Sequence, residues 1–120
     1  MDYLASAGKS PGKRFGHTVA QVSKELVVIF GGAVPDKDGF IITNDIFLYD
    51  IINNVWKQVE LHKTPTPRAA HGSCPVEEMQ MVVFGGALGN GSHADNNLYL
   101  LRNIGQGNMR WITVPVIGKI

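Results

Sequence analysis

Five bulky apolar residues, Leu26–Phe30 (LVVIF), run without a polar break and stop at two glycines; Met81–Phe84 (MVVF) does the same before Gly85 and Gly86. Continuous runs this short fit strands covered on both faces. The pattern changes around them. GHTVAQV (16–22) alternates small or polar with apolar residues, the period of a half-buried strand. DIFLY (45–49) and NLYLL (97–101) are rich in branched and aromatic strand formers, and VWKQV (55–59) and RWITV (110–114) alternate around a tryptophan. Turn signals separate them: SKE, PDKDG, INN, GNGS and GQGN. No segment keeps apolar residues at i, i+3, i+4 and i+7, so the expected class is all-β.

The pattern is written twice. Arg14 and Arg68, His17 and His71, and the Phe-Gly-Gly triplets at Phe30 and Phe84 all stand 54 residues apart. NDIFLYD (44–50) matches NNLYLLR (96–102) at an offset of 52, and Trp56 matches Trp111 at 55. Five matches in one order, drifting only between motifs, describe a repeat with loops of unequal length. Four strands per unit of roughly 50 residues is the layout of a β-propeller blade. The expected organisation is an N-terminal arm (1–13), a first blade (14–62), a linker (63–68), a second blade (69–116) and a link onward (117–120).

The ordered set Arg14, His17, Gly31, Gly32, Tyr49, Trp56 and its echo Arg68, His71, Gly85, Gly86, Tyr99, Trp111 resembles the kelch repeat across Arg14 to Val116. The resemblance implies a kelch-type propeller fragment of two four-stranded antiparallel blades. A blade cannot bury both faces alone and needs one on either side. Two blades share one interface and leave two apolar faces open, so the chain is expected to be a piece of a longer propeller. Self-association through the open faces is a second expectation.

Composition narrows the chemistry. A formal net charge of +1 carries no footprint for nucleic acid or anionic membrane, and no apolar run reaches membrane-span length. The lone Cys74 rules out an internal disulfide and fits a reducing compartment, cytoplasm or nucleus. The glycine pairs are expected to end each second strand where positive φ or close approach is needed, and no helix follows to hold a phosphate. AGKS (7–10) ends like a phosphate-binding loop but has Tyr3 where the motif needs glycine. His17 and His71 are expected to hydrogen-bond locally within their own blades, and His62 and His93 lack ligand spacing, so no metal is expected. Cys74 is expected to be a buried, inert thiol. Asn90-Gly91-Ser92 fits a glycosylation acceptor and reads more simply as an Asn-Gly turn. The loops Ala33–Thr43 and Ala87–Asp95 are expected on one rim, where repeat folds bind. Asp36, Lys37, Asp38, Phe40 and His93 are the candidate partner contacts.

A closer resemblance rests on YDIINNVWKQVELHKTPTPRAAHGS (49–73) and NNLYLLRNIGQGNMRWITVPVIG (96–118). These are similar to the N-terminal kelch propeller of plant and protozoan Ser/Thr protein phosphatases, through the PTPRAAH junction and the Arg-Trp opening the last strand. That resemblance implies a parent enzyme with a two-metal centre. Its Gly-Asp and Asn-His-Glu metal motifs do not occur in these 120 residues, so no catalytic or cofactor residue carries over. A copper-radical oxidase on such a propeller would need a Tyr–Cys crosslink, which nothing here supports. The expected function is a protein-interaction or targeting module within such a phosphatase; the alternative is a piece of a non-enzymatic kelch adaptor or scaffold.

Overall fold

A computed structural model of the chain describes residues 7–90 and 92–115, and the described residues contain nine strands and no helix. After the short β1 (Ala7–Gly8) come β2 (Thr18–Gln21), β3 (Leu26–Asp36), β4 (Gly39–Asp50) and β5 (Val55–Val59), the last four pairing in chain order as an antiparallel meander. The strands β6 (Gly72–Pro75), β7 (Met81–Phe84), β8 (Leu98–Arg102) and β9 (Arg110–Val114) form a second meander of the same kind. Two propeller blades result, with the first strands β2 and β6 lying side by side.

The arm adds a strand that the repeat does not contain. Ala7 and Gly8 pair in parallel with Val55 and Trp56 on the outer edge of the first blade, so that sheet has five strands rather than four. Two residues carry no periodicity to read. Gly8 makes the approach possible: a Cβ there would stand 2.0 Å from the Trp56 carbonyl oxygen.

The first glycine pair does not end its strand. β3 bulges between Phe30 and Gly32 and stays paired with β4 out to Asp36 opposite Gly39. Ala33–Thr43, expected as a loop, is therefore the outer half of a hairpin, built on cross-strand pairs such as Val34–Ile41. The second blade lacks such partners, and β7 stops at Phe84, ahead of its glycines. The need for glycine at position 31 comes from the neighbouring blade. With φ at +70°, a Cβ on Gly31 would lie 2.8 Å from both the Arg68 carbonyl oxygen and His71 Cε1.

Backbone bonds join the blades beside these glycines. The Gly32 N–H donates to the Arg68 carbonyl at 2.9 Å, Ala70 N–H to Gly16 at 2.8 Å, and Arg68 N–H to Thr43 at 3.1 Å. The two arginines anchor their blades in matching ways. Arg14 Nη1 donates to the Gly31 carbonyl at 3.1 Å, its guanidinium lies 4.9 Å from the Phe47 ring centre, and Asp45 Oδ2 is 3.6 Å away. Arg68 does the same with the Gly85 carbonyl at 3.1 Å, the Tyr99 ring at 5.0 Å and Asp95 Oδ2 at 4.0 Å. Arg68 is completely buried, and carbonyls, a carboxylate and a ring face together satisfy its charge.

His71 does not act within its own blade, as expected from sequence, but across the joint. Its Nε2 pairs with Thr18 Oγ1 of β2 at 2.8 Å, and its ring meets Phe30 edge-on at 5.2 Å. Burial pushes the imidazole down to about 4, opposed by the backbone at Phe30 and reinforced by the nearby Arg68 and His17.

The core is the joint between blades. Val28, Phe30, Ile46 and Leu48 form the trailing face of the first blade and pack against Met81, Val83, Tyr99, Leu101 and Trp111, the leading face of the second. Phe30 is fully buried, its ring 5.2 Å from that of Trp111; burying such a side chain contributes about 1.5–3 kcal/mol. The leading face of the first blade holds Ile29 and Phe47, both buried, with Tyr49 and Trp56, whose rings lie 4.6 Å apart at a tilt of 42°. Trp56 is only half-buried there, and Tyr49 hydrogen-bonds Asn54. The trailing face of the second blade (Val82, Phe84, Leu98, Leu100) is half-exposed, so the apolar run of β7 is covered on one side only. Cys74, expected buried, is exposed; it lies on β6, an edge strand of its sheet. Where the blades diverge, a cleft of about 900 Å³ opens between Leu26, Leu48, Val59 and Leu61 on one side and Met79 and Met109 on the other.

Candidate functional site

The β3–β4 hairpin projects from one rim of the first blade. Its turn is Lys37–Asp38, flanked by Asp36 and by Gly39 at φ +139°, and all four residues are exposed. Behind this charged tip lies an apolar patch. Phe40 is 63% exposed and Ile41 50%, and the Phe40 ring meets Phe15 edge-on at 4.7 Å. Phe15, itself 53% exposed, is held by reciprocal backbone bonds with Ala33 at 3.0 and 2.8 Å. A ladder thus fixes an exposed aromatic pair, which lowers the ordering cost of any contact made through it.

The second blade answers with a compact polar loop. Ala69 takes the place of Phe15 and bridges Ala87 as Phe15 bridges Ala33. The loop folds back through Ala87 opposite His93, with Leu88 N–H donating to Ser92 and Ala94 N–H to Gly86, both at 2.9 Å. His93 is exposed at its edge. The expected Asn-Gly turn includes Gly91, which lies outside the described residues; the Asn90 side chain accepts from Ser92 N–H at 3.0 Å. The two loops touch at Ile42, whose Cβ would be 3.9 Å from a Cβ on Gly89. Asp95 turns inward, accepting from the Tyr99 hydroxyl at 2.5 Å, and burial followed by this bond raises the Tyr99 phenol above its usual range.

Of the five candidate contacts, Asp36, Lys37, Asp38 and Phe40 share the hairpin, while His93 lies on the separate second-blade loop. Phe15 and Ile41 were not singled out. The signal for Phe15 is a mismatch within the repeat: between the matching Arg and His, RFGH in the first unit stands against RAAH in the second, with a large apolar residue where the second has alanine. No group of three or more His, Cys, Asp or Glu side chains that could hold a metal ion occurs among the described residues.

Comparison with known proteins agrees with this architecture. Residues 2–120 match the family model described as the KLHDC2/KLHL20/DRC7 Kelch-repeats domain. The chain is 36% identical over 84 residues to Adagio protein 3 of Arabidopsis thaliana, covering 68% of this chain and 13% of that protein. It is 32% identical over 83 residues to Kelch domain-containing protein 1 of Mus musculus, covering 69% of this chain and 20% of that one. With Acyl-CoA-binding domain-containing protein 5 of Arabidopsis thaliana it shares 35% identity over 92 residues, 76% of this chain and 13% of that protein. The chain thus spans about a fifth or less of these relatives. Two blades with the same arginine anchors, glycine pairs and strand order, matched along nearly the whole length, place the chain in the kelch-repeat family.

Proposed function

We propose that the chain is a protein-docking module that reads its partner through the β3–β4 hairpin, with Phe15, Phe40 and Ile41 as the anchoring patch and Asp36, Lys37, Asp38 and His93 around it. The exposed Phe15–Phe40 pair carries this reading. Large apolar side chains held rigidly in water and bordered by charge are what the centre of a protein contact requires. In this reading the module contributes no catalytic group and no cofactor, and it works in the cytoplasm or nucleus. A photo-crosslinking residue at position 40, with position 24 on the opposite rim as control, tests it in cells. Partner adducts at 40 and not at 24, lost with Phe15→Asp, support the assignment; equal labelling at both positions overturns it.

The module belongs, in our reading, to an adaptor or scaffold assembled from further kelch blades. The PTPRAAH junction and the Arg110–Trp111 pair favour a second parent, a kelch-repeat Ser/Thr protein phosphatase in which this module targets the enzyme. Reading the transcript past the Ile120 codon separates the two. Further blades followed by Gly-Asp and Asn-His-Glu metal motifs establish the phosphatase, and a chain without them establishes the adaptor.

A further inference from the structure

The two blades differ in the turn that follows their third strand, and the difference builds one wall of the cleft between them. The offset between the repeats grows from 52 to 55 residues across this turn, so the loop joining β8 to β9 is longer than the one joining β4 to β5. The longer loop leans on the first blade. A Cβ on Gly105, at φ +82°, would stand 3.1 Å from Leu26 Cδ2. Backbone bonds hold the loop in place. Gln106 N–H donates to Asn103 at 3.0 Å and Met109 N–H to Gln106 at 3.2 Å, while the fully buried Ile104 donates its N–H to Met79 at 3.1 Å. A wall fixed in this way pays little ordering cost when something binds against it.

The interior of the cleft is apolar. Across about 900 Å³, Leu26, Leu48, Val59 and Leu61 face Met79 and Met109. Leu26, Val59, Leu61 and Met79 pack on the core and stay partly exposed, which leaves apolar surface for a ligand to cover. The volume suits a bound side chain or two, and thioether walls adapt to the shape of what enters.

The mouth is acidic. Glu25, Asp50 and Glu60 stand around it against a single base, Lys57. None of the four enters an ion pair among the described residues, and Glu25 and Glu60 are exposed. Asp50 accepts from Asn53 N–H at 3.0 Å and from its Nδ2 at 2.8 Å, bonds that favour the ionised carboxylate. Unspent negative charge bordering apolar walls complements a cation set beside an apolar side chain.

We propose that this cleft docks an extended segment of a partner protein in which an aliphatic or aromatic side chain is flanked by lysine or arginine. The apolar side chain enters between the two walls, and the flanking cations meet Glu25 and Glu60. Both walls belong to blades of this chain, and further blades would stand against other faces. No residue of the β3–β4 hairpin lines the cleft, so either assignment stands if the other fails.

Methyl NMR of the whole chain labelled at its methionines tests the assignment, with acetyl-Lys-Leu-Phe-Lys-amide as the probe. The Met79 and Met109 signals should shift together and saturate, and should do so equally in Phe15→Asp, which alters only the hairpin patch. The acidic peptide acetyl-Glu-Leu-Phe-Glu-amide and the apolar-free acetyl-Lys-Gly-Gly-Lys-amide should leave both signals in place. Glu25→Lys combined with Glu60→Lys should weaken the basic probe at least ~10-fold, with a melting curve showing that the variant remains folded. Should that pair fail to fold, Glu60→Gln alone replaces it, with an expected loss of ~3-fold. No shift with the basic probe up to ~5 mM, equal shifts with either control peptide, or binding unaffected by the charge changes overturns the proposal.

Discussion

Phe30 and Phe84 close the same apolar run in the two blades, yet their surroundings have little in common. Phe30 is sealed beneath His71 and Trp111, and Phe84 faces the open side of the second blade, half in water. The local sequence is nearly identical, so the difference lies in what stands next to each blade. In a repeat protein the energy of a residue belongs mostly to the interface between units and only partly to the unit that contains it.

Paired substitutions test that difference. Phe30→Ala is expected to cost about 3–5 kcal/mol in a urea melt, the usual range for a buried aromatic, and Phe84→Ala about 1 kcal/mol at concentrations where the chain is monomeric. Equal losses would break the comparison. The glycines come next. Gly31→Ala and Gly85→Ala share the strain of positive φ, about 1–2 kcal/mol, but only the first drives a methyl into Arg68 and His71, adding roughly 1–3 kcal/mol.

The joint should also register acid. His71 in the folded chain stays neutral down to about pH 4, whereas in the unfolded chain it takes up a proton near its ordinary 6.5. Between those values the unfolded state binds more protons, so stability falls as pH falls from 6.5 to 4 and is untouched above 6.5. His71→Gln should start less stable at pH 7.5 and narrow the gap to the unaltered chain through that window. A constant gap would show that His71 does not titrate on unfolding.

The smallest expected effect concerns Ala70, which sits at φ +57° where its counterpart Gly16 has +71°. Ala70→Gly removes that strain at some cost in unfolded-chain entropy, for a net gain of about 0.5–1 kcal/mol. A loss on thermal melting would mean that the Ala70 methyl makes contacts that matter.

Much of the fold was legible because the repeat supplies its own alignment. Arg14 with Arg68 and Phe30 with Phe84 define a unit, and apolar periodicity divides it into four strands. Features set by neighbours were harder to read. Nothing in LVVIFGG announces that β3 passes through its glycines, because the cause is pairing with Ile41 and Ile42 ten residues on. Trp56 and Trp111 read alike, yet only Trp111 is buried, since only the second blade has another in front of it. The Thr18–His71 bond links residues from different repeats and has no signature within either. On the rim, charge marked the hairpin tip, while the aromatic beside it needed the contrast between Phe15 and Ala69.

The bonds joining the blades through Gly32, Ala70 and Arg68 all lie toward the first strands, whereas the cleft lined by Leu26 and Met109 lies where the blades spread apart. Mechanically this is a book with a stitched spine and a loose fore-edge. Forces that twist the outer strands widen a cleft that is already there, while forces on the inner strands must break main-chain bonds that no side-chain substitution can remove. Each joint of this kind lets its blades breathe at the margin and keeps their rotational step fixed at the axis, so dimensional accuracy around a complete propeller is inherited from a few peptide groups per joint.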